Sequence, residues 1–177
     1  SGTPGTAPTG WSWNASTGTL SAPGDGTLTF SGTAARHILL VSAQMGATDT
    51  RTWSLKVLSN ANGLPASEML SVLSGPTGMT TAFKANGASA AWSYVPVSGD
   101  VIAAVMTTTG TAGTLNLRLG LGCSGTVTGS VTLSEPQFEA GSSRTAYQRS
   151  AGIHDITETG QSEVYGLRFD GIDDAYS

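Results

Sequence analysis

The chain has 177 residues, the size of one domain or of one domain plus a piece of another. Eight Lys and Arg against twelve Asp and Glu give a net charge of −4, and only 11% of residues are charged, so solubility rests on hydroxyls and exposed backbone. Without basic runs there is no footprint for nucleic acid or an anionic membrane surface, and no apolar run approaches the roughly 20 residues of a membrane-inserted helix.

Taken in chain order, glycine, proline and serine clusters punctuate short runs of branched and aromatic residues, which predicts an all-β fold. Trp11 and Trp13 stand in the opening segment, followed by a glycosylation sequon at Asn14-Ala15-Ser16 with nothing to imply a secretory route. Residues 18–32 (GTLSAPGDGTLTFSG) fit two short strands around a Pro-Gly-Asp-Gly turn. Residues 36–45 (RHILLVSAQM) have a continuous apolar centre and predict a strand covered on both faces. Residues 51–59 (RTWSLKVLS) alternate, with Trp53, Leu55 and Val57 on one face.

Residues 60–65 form a loop by their Asn, Gly and Pro content, and 67–73 (SEMLSVL) fit a short helix or a strand equally. Residues 79–84 and 90–97 are predicted strands, Pro96 marking an edge or end in the second. A turn at 98–100 leads into the apolar strand 101–108. Residues 114–121 (TLNLRLGL) alternate again, with Leu115, Leu117, Leu119 and Leu121 inward. Residues 127–133 and 136–138 finish a set of roughly nine or ten strands. The expected architecture is an antiparallel β-sandwich, a jelly roll in first place, over residues 1–149, with 150–177 as an extended linker.

Few residues carry chemistry. Cys123 is the single cysteine, which excludes an internal disulfide, and it reads as a small hydrophobe. Residues 120–125 (GLGCSG) satisfy the G-x-G-x-x-G pattern, but a strand-forming run follows where a dinucleotide fold needs a helix, so a glycine-rich hairpin loop is expected. His37 opens a strand and His154 sits in a polar tail, and no nucleophile elbow accompanies either. Asp25, Asp49, Glu68 and Asp100 are too sparse for a glycosidase pair, and Asp25 and Asp100 lie where carboxylates bond turn amides. Asp170, Asp173 and Asp174 could ligate calcium but read more simply as a tight turn. No cofactor, metal or catalytic residue is expected. Trp92, Tyr94, Trp11 and Trp13 are the candidate glycan-stacking platforms; Trp92 and Tyr94, two apart, are expected to share one face.

The stretch EPQFEAGSSRTAYQR (residues 135–149) packs two acids, two arginines and two aromatics into a few residues. From Pro136 it resembles P-Q-[LF]-E-x-G-x-x-x-T-x-Y-x-R, the closing segment of jelly-roll, carbohydrate-binding-module-like domains in bacteriophage and prophage (or gene-transfer-agent-like) virion proteins. The opening GTPGTAPTGW is similar to the start of the same modules. Residues 165–177 (YGLRFDGIDDAYS) resemble the opening of a laminin-G or concanavalin-like domain. The resemblance implies a non-catalytic fibre or spike module on the virion surface, tail or head, contacting host-surface polysaccharide and other virion proteins, and a homotrimer. The competing class is a purely structural or decoration module. The chain, starting at Ser1, reads as an excised or processed piece of a longer protein. Locally, Pro136 is expected at a sheet edge, Phe138 as a plug and Gly141 as a turn, with Tyr147 lying back on the body and Arg144 and Arg149 neutralising Glu135 or Glu139.

Overall fold

The computed structural model describes residues 12–15, 19–21, 26–35 and 37–147. Eleven strands are present among them: β1 (Ser12–Ala15), β2 (Thr19–Ser21), β3 (Thr27–Ala35), β4 (His37–Met45), β5 (Thr50–Asn60), β6 (Leu70–Ser74), β7 (Thr80–Ala85), β8 (Ala88–Ser89), β9 (Val101–Thr107), β10 (Gly113–Leu121) and β11 (Val127–Ala140). They form a four-stranded sheet in the order β1-β4-β10-β6 and a seven-stranded sheet in the order β2-β3-β11-β5-β9-β7-β8. Every pairing is antiparallel. The fold is an all-β sandwich. No helix among the described residues is long and apolar enough to cross a membrane.

The core lies between the sheets and follows from period-two patterning. Leu115, Leu117, Leu119 and Leu121 of β10 face Trp53, Leu55 and Val57 of β5, with Phe30, Ile102, Ala104 and Met106 from flanking strands, all buried. Trp53 ties the layers together: its indole Nε1–H donates to the Arg118 carbonyl of the opposite sheet at 3.3 Å. A buried indole needs such an acceptor, and the alternation of β10 supplies a backbone carbonyl within reach.

Several expectations need correction. Residues 90–97 are not a strand: the chain pairs through Ala88–Ser89, the Ala90 amide still reaches the Phe83 carbonyl at 3.1 Å, and the chain then leaves the sheet, because backbone carbonyls beyond are taken by a turn elsewhere. The two closing runs are one strand, β11, lying inside the sheet between β3 and β5 rather than at an edge. Pro136 is tolerated because β3 pairs only as far as Ser134, and the register with β5 shifts between Ser134 and Gln137. A bulge there leaves no ladder bond for Pro136 to lose, and Glu135 takes a positive φ of 52°. In β4, Ser42 and Gln44 are exposed, so this half of the strand has a solvent face; the side chains of residues 38, 39 and 41 lie outside the described set. The ambiguous 67–73 run resolves into both alternatives, a single-turn 3-10 helix at Ala66–Glu68 and then β6.

The closing stretch behaves as a strap. Gly141, at φ 95°, turns the chain back, and its carbonyl accepts the Thr52 hydroxyl at 2.8 Å. Arg144 then pairs with Glu135 at 2.7 Å, which Lys56 also approaches at 3.8 Å. Thr145 bonds the Glu139 carboxylate through its amide and hydroxyl. Phe138 is half-buried against the core, with the Arg51 guanidinium 5.9 Å from its ring centroid. The expected boundary at residue 149, Arg149, the tail and its Asp170, Asp173 and Asp174 lie outside the described residues.

Candidate functional site

The Asn86-Gly87 pair makes the β7–β8 hairpin. Both residues have positive φ, 50° and 82°, as a tight turn with right-handed strand twist requires. Beyond it the chain cannot continue as a strand, because the Ala66 and Ser67 amides of the 3-10 turn bond the Tyr94 and Trp92 carbonyls at 2.8 and 3.2 Å. The Tyr94 amide closes a turn onto Ala91 at 2.9 Å. Trp92 and Tyr94 are thereby set on a loop beside the 3-10 turn that precedes β6.

Asp100 braces this loop. One carboxylate oxygen accepts the Asn86 side-chain amide at 2.8 Å, and the other accepts the Tyr94 hydroxyl at 2.7 Å and the Val97 amide at 2.9 Å. Asn86 returns a bond by accepting the Val101 amide at 2.9 Å. These bonds, the Asn86 amide first and the Val97 amide next, hold the Asp100 carboxyl below its ordinary range against the opposing effect of burial. The same carboxylate pushes the Tyr94 phenol up.

The rings are half-buried. Trp92 packs on Phe83 with centroids 4.8 Å apart and planes tilted by 36°. Its neighbours Ser93 and Val95 are exposed, Val95 at 47% and Val97 at 63%. Because the segment is a loop, Trp92 and Tyr94 are grouped by turns and side-chain bonds rather than by strand alternation. Trp13 lies in β1 opposite Leu39, with its side chain outside the described set, and Trp11 is outside it altogether. Asn86 was not among the candidates; the Asn-Gly pair before a short apolar run was the signal for it.

The other chemistry-bearing residues are engaged locally. Asp49 accepts the Arg51 guanidinium at 2.8 Å and the Gly46 amide at 3.2 Å, which lowers its carboxyl. The glycine-rich loop after β10 does gather amides around an anion, but the anion is the protein's own Glu68. Its carbonyl accepts the Gly122 and Cys123 amides at 2.9 and 3.1 Å. Its carboxylate accepts the Ser124 and Gly125 amides, each at 3.3 Å, and the Ser124 hydroxyl. An amide nest that would suit a phosphate is occupied internally, and strand β11 follows where a phosphate-binding loop needs a helix. Glu68→Gln removes the charge and one good acceptor. It is expected to cost about 1 kcal/mol and to speed amide exchange at Ser124 and Gly125, readable by hydrogen-exchange NMR. Unchanged exchange at both amides would show the carboxylate to be dispensable to the loop.

Cys123 is buried, as a small hydrophobe should be. His37 heads β4, with its side chain outside the described set, and Asp25 and His154 lie outside the described residues. Among the described residues no group of three or more His, Cys, Asp or Glu is placed to hold a metal ion. No family model matches the chain, and neither a curated protein nor a solved structure matches it.

Proposed function

We propose that the sandwich is a non-catalytic module of a phage tail fibre, head fibre or spike that contacts host-surface glycan, with a jelly-roll order of its strands. The observation that carries the glycan contact is the braced loop: Tyr94 is held through its hydroxyl by the Asp100 carboxylate, and Trp92, two residues before it, packs on Phe83, with Ser93 and Val95 exposed beside them. Preorganised rings lose little entropy on binding, and sugar faces stack on them through C–H groups. The virion setting rests on the resemblance of residues 136–149 to a closing segment of such modules. The geometry of the strap gives that segment a structural part, with Arg144 on Glu135 and Thr145 on Glu139.

Stacking plus a few hydrogen bonds gives weak single sites. A millimolar site is worth only about −4 kcal/mol, so many copies on one particle would have to act together. The test is retention of the domain, in multivalent form, on host polysaccharide. Trp92→Ala is expected to weaken retention strongly while the domain stays folded, losing about 1–2 kcal/mol through its contact with Phe83. Unfolding of that variant would mark the ring as core. The second reading, a structural or decoration module, is favoured by the exposed Val95 and Val97, apolar side chains suited to a protein neighbour. Failure of the multivalent domain to bind any host polysaccharide, with self-association in sedimentation, would decide for it.

A further inference from the structure

We infer that Asn62 is a site of spontaneous deamidation, and that the fold shields the same tripeptide at Asn86 from the same reaction. Ala-Asn-Gly occurs twice in the chain, at residues 61–63 and 85–87. Neither site depends on the glycan reading.

Asparagine before glycine is open to this chemistry because glycine has no Cβ to obstruct its own amide, and its backbone turns freely. The Gly63 amide nitrogen attacks Asn62 Cγ. A nitrogen–carbon bond closes a succinimide ring, the Cγ–Nδ2 bond breaks, and the amide proton leaves with that nitrogen as ammonia. Water then opens the ring at either carbonyl. The products are aspartate and isoaspartate, the second with a main chain longer by one methylene. Both glycines are accessible, with φ of 61° at Gly63 and 82° at Gly87. An added Cβ would meet only Val95 Cγ1, 4.0 Å away, at the first and nothing within 4 Å at the second. Both asparagines are exposed. What separates them is the hold on the side chain.

Asn86 is fixed at both ends. Its Nδ2 donates to the Asp100 carboxylate at 2.8 Å, and its Oδ1 accepts the Val101 amide at 2.9 Å. Its own backbone amide donates to the Val101 carbonyl at 2.8 Å. Swinging Cγ onto the Gly87 nitrogen breaks both side-chain bonds, one of them charge-assisted. The aspartate formed would also set a second carboxylate against Asp100, where like charges oppose each other.

The hold on Asn62 is lighter. Among the described residues its side chain makes one bond, Oδ1 accepting the Ser130 amide at 3.1 Å. The Gly63 amide donates to the Asn60 carbonyl at 3.3 Å, longer than the usual range, so the attacking nitrogen is weakly engaged. An aspartate here keeps an acceptor for Ser130. An isoaspartate disturbs the turn, because its extra methylene falls between Asn60 and Leu64, whose amide donates to Asn60 Oδ1 at 2.9 Å. Asn60 Nδ2 in turn holds the Leu64 and Pro96 carbonyls at 2.9 and 3.0 Å. The change therefore reaches the segment that carries Trp92 and Tyr94.

The experiment incubates the full chain in warm, mildly alkaline buffer, folded and in concentrated urea. Peptide mapping by mass spectrometry follows aspartate and isoaspartate at both sites. In urea the two tripeptides should convert at similar rates. In the folded chain Asn62 should convert about tenfold faster than Asn86 or more, the factor set by breaking a bond to a carboxylate. Asp100→Ala, shown to be folded by its urea midpoint, should bring Asn86 up toward the rate of Asn62. The wild-type comparison decides alone if that variant unfolds. Amide exchange at Leu64 should quicken in the isoaspartate fraction. Equal folded rates, faster conversion of Asn86, or an unchanged Asn86 rate in folded Asp100→Ala would overturn the shielding. A folded chain that keeps Asn62 intact while urea releases both would overturn the site. A large difference between the sites in urea would assign the selectivity to local sequence and overturn the role of the fold.

Discussion

Trp53→Ala is expected to cost about 4 kcal/mol, the largest effect of any single truncation considered for this domain. The side chain is almost fully buried, central in β5, and stands between the two sheets. Its removal leaves a cavity lined from both layers, which a sandwich closes poorly because each sheet is fixed by its ladders. It also removes the indole donor to the Arg118 carbonyl, a bond that joins the sheets directly. A domain stability of about 5–15 kcal/mol leaves little after such a loss. Urea unfolding should show a lower midpoint with an unchanged slope. A loss below about 1.5 kcal/mol would mean that the core repacks around the site, against the close-packed reading.

The same tryptophan shows what the sequence makes legible. Alternation in residues 51–59 and 114–121 assigns Trp53 and the four leucines of β10 inward, since the period of two is set by the strand itself. The salt bridge between Arg144 and Glu135 is legible for a related reason: nine residues and one glycine turn separate the partners. What sequence leaves open depends on distant contacts. The segment 90–97 has strand composition, yet its carbonyls are claimed by the Ala66 and Ser67 amides, which no local pattern announces. Likewise the occupant of the glycine-rich loop is Glu68, 56 residues before Ser124.

The candidate site was half visible. Trp92 and Tyr94 stand out by size alone, and the turn at 98–100 predicts that Asp100 bonds a nearby amide, as it does with Val97. The bond from Tyr94 to Asp100 and the bond from Asn86 join three separate turns, and only the assembled sheet brings them together. The placement of β11 between β3 and β5 is of the same kind, because it is fixed by pairing with strands far back in the chain.

Asp100→Ala should therefore disturb more than one turn, and a loss of about 3 kcal/mol is expected. The carboxylate is buried and accepts three donors, so truncation leaves the Asn86 side-chain amide, the Val97 amide and the Tyr94 hydroxyl to find water at the edge of the core. Asp100→Asn keeps an acceptor for part of the set and should lose less. The pH dependence follows from the same contacts. The folded carboxyl titrates below the ordinary value of 3.8, so its stabilising effect is complete above that value. It disappears as pH falls through the lower, folded value. Tyr94 behaves in the opposite sense: its phenol is raised above 10.0, and its contribution holds below that pH and is lost in stronger base as the donated proton leaves. Thermal melts of wild type and Asp100→Ala from acid to base give the measurement. The gap between them should be constant near neutrality and shrink at the acid end. If the variant melts like wild type at pH 7, the carboxylate does not brace the loop, and the rings of Trp92 and Tyr94 are held by packing alone.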